Sequence, residues 1–335
     1  MIMSDTHHQR KYFILAGLLV VAAFAVSLRV GRYPLSVGDI TAIFFGGEVP
    51  DIARGVFLTL RLPRTIMAVL AGAGLGLAGS VFQLVFKNPL ASPDIVGAAS
   101  GANLGAATAI ILFGQSVAVM AAFAFAGSML VVFFVVALAQ MTRNNSTVTY
   151  ILAGIIMKAI SDAIIMIMKF FADPESQLAA IEFWAMGSLG AITASRVVGI
   201  LPFFFAGFIG LILAHRHIAI LGLEDDESRT LGVPVKRVRV IVLGLASLTV
   251  AAAVCLTGLI AFIGLIAPHV ARLALKRISF AWCALSALIG AFILLVADSF
   301  ARSIATVEIP ISILTTFIGV PILLYFMRNR KAGKI

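Results

Sequence analysis

The sequence predicts an all-α, polytopic membrane protein of about ten transmembrane helices. Three observations predict it. Of 335 residues, 61% are apolar and only 12% are charged, whereas a soluble domain is about one-quarter charged. The apolar residues gather into ten runs, most of them near the roughly 20 residues that cross a bilayer as a helix. Basic residues cluster at the ends of those runs, where the positive-inside bias of membrane proteins puts them.

The runs are 12–29, 57–84, 95–113, 117–140, 147–171, 197–214, 239–257, 258–275, 280–297 and 311–327. The first follows Arg10 and Lys11, and Ala23-Phe24-Ala25 has the look of a signal-peptide cleavage site. With nine further runs behind it, an uncleaved first helix is the expectation. The second is rich in small residues from Ala71 to Ser80, with Gly72 and Gly76 at the spacing that lets helix backbones approach in lipid. Helix packing is reason enough for most of these glycines. No polar loop separates 239–257 from 258–275, so that boundary is the least defined. Cys255 and Cys283 lie inside apolar runs without metal-ligand spacing and read as packing residues.

With both termini on the cytoplasmic side, 16 of the 25 lysines and arginines fall inside and eight outside, leaving Lys158 within a span. The whole chain then reads as one membrane domain with a cytoplasmic tail at 1–11, a long cytoplasmic loop at 214–239 and a second tail at 328–335. The net charge of +10 does not indicate nucleic-acid binding, because the basic residues form no single stripe. In the long loop, Glu224-Asp225-Asp226-Glu227 suit the first turn of a short helix, whose dipole favours negative charge there. Gly232 and Pro234 suit its end.

Five segments read together. They are Arg61-Leu62-Pro63-Arg64, the run from Asn88 through Pro89-Leu90-Ala91-Ser92-Pro93-Asp94 to Gly97, the stretch Gly258–His269, Ala297-Asp298 and Glu308-Ile309-Pro310. This ordered set, spread from about 57 to 327, resembles the FecCD family of ABC importer permeases, whose cargoes are iron–siderophores, haem or cobalamin. The run after Asn88 is more similar to the siderophore branch. The resemblance implies a type II ABC importer permease in the bacterial inner membrane. It implies a second permease copy, identical or paralogous, beside a shared path. It also implies cytoplasmic ABC ATPase subunits that carry ATP and Mg, a periplasmic substrate-binding protein above, and ferric siderophore as cargo. No cofactor and no metal are expected on this chain, which has no GxxxxGK[ST] phosphate loop.

Site roles follow by resemblance. Arg61, Arg64 and Arg302 match arginines that receive carboxylates of the binding protein, which suits the bidentate chemistry of guanidinium. Residues Leu221 to Pro234 match the coupling helix that seats in the ATPase. There Leu221, Leu223 and Leu231 would supply an apolar face, with Glu224, Arg229 and Gly232 in the same element. Glu224 and Ser228 stand where the family usually has glycine and alanine. Asn88 and Leu90 match one part of a cytoplasmic gate; Ser146 and Thr147 match the start of the span that forms the other.

Lys158 and Asp162, four apart, share one helix face at mid-span. Ionisable residues there are costly and are paired or functional. Three roles are open: a structural pair facing the bundle, a pathway lining, or proton coupling. The last would make the chain an ion-coupled secondary transporter, the alternative to an ATP-driven permease. An intramembrane enzyme is disfavoured, since neither HExxH nor a paired-aspartate motif is present. His269 is a lone histidine and reads as structural.

Overall fold

The computed structural model describes residues 2–142, 147–275 and 279–331, and every regular element among them is helical. In chain order these are α1 (Ile2–Arg29), α2 (Val37–Phe45), α3 (Asp51–Gly55), α4 (Leu62–Val85), α5 (Ala98–Phe113), α6 (Val117–Met141), α7 (Thr147–Phe171), α8 (Ala179–Ala185), α9 (Ala194–Leu213), α10 (His215–Leu221), α11 (Asp225–Thr230), α12 (Val235–Thr257), α13 (Ile263–Ala274), α14 (Phe280–Ala301) and α15 (Ile311–Lys331). Seven of these helical stretches are long and apolar enough to cross a membrane, and α5, α13 and α15 add shorter apolar helices. The ten expected runs thus correspond to ten helical segments.

Three boundaries differ from the sequence reading for physical reasons. The second run begins earlier, because α3 continues through a π-helical stretch, Val56–Arg61, into α4. Pro63 lacks an amide hydrogen and its ring crowds the carbonyl four residues back; widened hydrogen-bonding before it accommodates both. The third opens with a short 3-10 turn, Pro93–Val96, before α5. The eighth is not helical from 258. Gly258 adopts φ 67°, and helix resumes only at Ile263. A side chain at Gly258 would strike the Trp184 carbonyl, so a glycine there serves both the turn and the contact.

Helices α4, α12 and α14 bury most of their apolar windows, while α1, α6, α7 and α9 leave most of theirs incompletely buried. Helix α4 lies at the centre because it has almost no side chains along one edge. Gly72 abuts the backbone of Gly290 and Ala291, Gly76 the carbonyl of Ser286, and Gly79 the backbone of Gly264. At each of these a Cβ has no room. Lipid offers no hydrophobic drive between helices, so such backbone approach supplies the van der Waals contact that holds them. Gly101 and Gly127 repeat the device between α5 and α6.

The termini of α4 define two ends of the bundle. One carries Arg61, Arg64, Asp298 and Arg302 and is called the arginine end. The other carries Lys87, α10 and α11 and is called the loop end.

Replacing Gly79 by Leu is expected to force α4 off α13 and to destabilise the protein by about 2 kcal/mol or more, the upper range for overpacking. Gly17→Ala, where nothing lies within 4 Å of the new methyl, is expected to leave the melting temperature unchanged. Thermal unfolding of the two detergent-purified variants checks the contrast.

Candidate functional site

At the arginine end the structure revises the expected exposure of three residues. Arg61, Arg64 and Arg302 are 4%, 8% and 5% exposed. Arg61 donates from Nη1 to the carbonyls of Leu28 (3.1 Å) and Arg29 (2.8 Å), and from Nη2 to that of Tyr33. Arg302 donates from Nη2 to the carbonyl and the hydroxyl of Ser27, each at 2.6 Å. Helix α1 ends at Arg29, and its last carbonyls have no partner within the helix. Two cations from distant segments therefore cap it, where the helix dipole favours positive charge.

Arg64 faces the other way. Its Nε donates to Asp298 at 2.8 Å and its Nη1 to Glu308 at 2.7 Å. Asp298, fully buried, also lies 3.3 Å from Arg302 Nε. Ser27 and Thr65 share a hydrogen bond of 3.1 Å beneath this layer. The network joins α1, α4, α14 and the segment after α14. Free guanidinium groups waiting for a partner's carboxylates are therefore not what this chain offers at positions 61, 64 and 302. The exposed cations of this end are Arg29, Arg32 and Arg54. Arg29 and Arg32 share a cleft of about 490 Å³ with Arg302.

At the loop end, residues 215–230 form two short helices rather than one. Ile218 and Leu221 are buried in the bundle, and Ser228 closes the pair by donating to the Ile220 carbonyl at 2.9 Å. Leu221, at 1% exposed, is corrected from an outer contact residue to a core residue. Leu231, at 60%, and Leu223, at 41%, are the leucines presented outward. Asp225, Asp226 and Glu227 occupy the first turn of α11, as the charge pattern predicts. Glu227 accepts a hydrogen bond from the Glu224 amide at 3.3 Å. Arg229 lies on α11, and Gly232 follows with φ 77°, the left-handed stop expected of it.

Asp225 accepts from Lys87 Nζ at 2.9 Å and from Arg239 Nη2 at 2.9 Å on both oxygens. Glu224, largely exposed, reaches Lys87 only at 3.8 Å. Burial pushes the Asp225 carboxyl up, but the hydrogen bonds and charges of Arg239 and Lys87 outweigh it and leave its pKa below the ordinary carboxylate value. A depressed folded pKa means that the pairs persist above the ordinary value and are lost only as pH falls through the lower one. They are thus intact throughout the neutral range.

Beside Lys87, Asn88 folds back as an Asx turn, its Oδ1 accepting from the Leu90 amide at 2.9 Å, and Leu90 projects at the surface. The loop continues into the 3-10 turn at 93–96, where the Ile95 carbonyl sits against Gly154 of α7 with no room for a Cβ. The loop after Asn88 and α7 are therefore in contact through Ile95 and Gly154. Thr147 starts α7; Ser146 lies outside the described residues.

Lys158 and Asp162 pair with each other at 2.8 Å. Their side chains are 49% and 44% exposed, so the pair points out of this chain and not into its bundle, which corrects the structural reading. Val148, Leu152, Ile155, Ile156 and Ile160 accompany them on exposed parts of α7. His269 bonds the Leu265 carbonyl through Nδ1 at 2.7 Å and packs edge-on against Phe326.

Sequence reading did not find Tyr150, Asp298, Glu308 or Arg239 as partners in these networks. Asp298 and Glu308 stand in motif segments, but their pairing with Arg64 spans up to 244 positions, and no local pattern announces which residue each one holds.

The FecCD transport family matches residues 18–329. The molybdate import permease MolB of Haemophilus influenzae is 34% identical across 99% of this chain and 99% of its own length. The ferric enterobactin permease FepG of Escherichia coli is 35% identical across 91% and 93%. A solved structure described as an inward-facing conformation of a metal-chelate type ABC transporter superposes with TM-score 0.84 at 32% identity, covering 96% of this chain and 99% of that one.

Truncating Arg64 to Ala leaves Asp298 buried with weakened charge compensation. Removing one partner of a buried pair costs about 3–5 kcal/mol. We expect Arg64→Ala to lose most folded protein from membranes, and Arg64→Met combined with Asp298→Leu to recover part of it. A shift in partner affinity with full thermal stability would instead show that the arginine serves docking alone.

Proposed function

The chain belongs to the FecCD transport family, and from that premise we propose that it is the membrane-spanning permease of an ATP-driven importer that moves ferric siderophore across the bacterial inner membrane. The observation that carries the reading is the loop end. A pair of short helices is pinned to the bundle by Ile218, Leu221 and the Asp225 ion pairs, yet presents Leu223 and Leu231 outward. An exposed leucine face on a firmly anchored element is what an external motor needs in order to push on a membrane protein. ATP and Mg belong to that separate ATPase, and this chain holds no cofactor. The whole chain acts as one permease domain, with 214–239 as its ATPase contact.

The excess of basic residues assigned to the loop end supports placing that end and both termini in the cytoplasm. The arginine end then faces the periplasm. We place the binding protein over Arg29, Arg32 and Arg54, with Arg61, Arg64 and Arg302 holding that surface from beneath. Electrostatic complementarity of this kind steers encounter more than it adds affinity.

Lys158 and Asp162 favour a second permease copy against α7. Each charge would cost roughly 2.5–3.5 kcal/mol at the centre of a lipid-facing helix. A neighbouring chain, identical or paralogous, with a wet path between the two avoids that cost. The pair then lines the path, which replaces the gradient-driven carrier as its role. Asn88, Leu90, Thr147 and Ser146 belong to the cytoplasmic gate of the same path.

For the cargo, the run from Asn88 to Gly97 and the likeness to a ferric enterobactin permease support ferric siderophore. The equal likeness to a molybdate permease makes molybdate the second reading. Proteoliposomes holding the complete transporter are expected to take up ferric enterobactin in an ATP-dependent way. ATP-driven molybdate uptake without ferric siderophore uptake would replace the cargo, and solute movement by this chain alone on an ion gradient would overturn the permease reading. Replacing Leu223 and Leu231 together by Asp is expected to remove the ATPase from the purified complex while the permease stays folded. Copurification of the ATPase with that variant would refute the contact.

A further inference from the structure

We propose that Asp225 is a positioning residue that ties the ATPase-facing helix pair to both arms of the gate. The proposal rests on the reading of residues 215–231 as the ATPase contact and adds how motion there reaches the path.

One carboxylate holds three elements. It accepts from Lys87, just beyond α4, at 2.9 Å, and from Arg239, in the first two turns of α12, at 2.9 Å. Lys87 sits in the left-handed region at φ 50°, an uncommon conformation for a lysine, and immediately precedes the Asx turn that presents Leu90. The first arm of the gate is thus one residue from the ion pair. Arg239 is 1% exposed, and its guanidinium carbon lies 6.0 Å from the ring centroid of Tyr150, in the first turn of α7. A cation over an aromatic face is attracted to it. The second arm is thereby joined to the same carboxylate through Arg239.

The charges are nearly balanced, with Lys87 and Arg239 against Asp225 and, more distantly, Glu224. Displacing α11 would pull on both pairs, and on Arg239 most strongly, because leaving a cation at a buried site without its partner is costly, whereas Lys87 is the more exposed of the two. The folding of the helix pair does not depend on this carboxylate alone. Ile218 and Leu221 are seated in the core and Ser228 holds the Ile220 carbonyl independently. Transmission and folding are therefore separable in this element.

The test uses the assembled transporter with its ATPases in proteoliposomes. Leu90→Cys serves as the reporter, labelled from the loop side with a membrane-impermeant maleimide. Cys255 and Cys283 are buried and contribute no background. With Asp225 intact, ATP is expected to change the labelling rate several-fold. In Asp225→Asn the ATPases should remain bound and hydrolyse ATP, while the ATP-dependent change in labelling falls about fivefold or more, the scale of ordinary coupling between sites. Asp225→Glu should restore it. An unchanged labelling response in Asp225→Asn overturns the proposal, as does loss of the ATPases from that variant, which would make Asp225 part of the contact itself. Should Asp225→Asn not fold, Lys87→Gln carries the same test through the first arm, and an unchanged response there overturns the proposal equally. Failure of the ATPase-contact reading shows separately, as ATPase retention by the Leu223 and Leu231 double variant.

Discussion

The close approach of α4 to α13 and α14 is the constraint on which the remaining geometry depends. Gly72, Gly76 and Gly79 bring its backbone against theirs. With α4 held at the centre, its two ends fall at fixed positions, and both ends carry charge. Arg61 and Arg64 begin it and Lys87 follows it. In a low-dielectric surround the buried Arg61 and Arg64 cannot stay without compensation, and all three cations have drawn partners from remote parts of the chain. The glycines set the axis, and the buried charges then recruit α1, the segment after α14, and the 215–230 helix pair around it.

The two charged layers do different things. At the arginine end, three guanidinium groups satisfy helix-terminal carbonyls and two carboxylates of the same chain. Such a layer suits a rigid platform. At the loop end, the carboxylate at Asp225 is partly exposed and shared between two cations. Exposure weakens such pairs and makes them exchangeable. A rigid platform at one end and a more yielding contact at the other fit a permease driven from one side.

Much of this was legible in the sequence. Ten apolar runs gave ten helical segments because crossing length and apolarity are local properties. The acidic first turn of α11 and the left-handed stop at Gly232 were legible for the same reason: capping chemistry is written within a few residues. What could not be read was direction. Leu221, Leu223 and Leu231 have the same side chain in one short loop, and only the packed structure shows that the first turns inward. Arg61 and Arg64 stood out as outer-side cations, yet their partners at Leu28, Asp298 and Glu308 lie up to 244 positions away. A motif records that an arginine is needed, not which atoms it holds.

Lys158 and Asp162 carry the same lesson to α7. Spacing alone placed them on one face, and the structure confirms that they pair. Their exposure is the informative part, because a chain that could bury the pair within its own bundle has left it on the outside. An outward ion pair at the middle of a 25-residue helix is tolerable only where that face meets water or another protein. The helix is therefore incompletely solvated by this chain and by lipid. Its charge pattern argues for a second subunit independently of family resemblance, since a lone copy in a bilayer would expose to hydrocarbon the two groups least able to remain there.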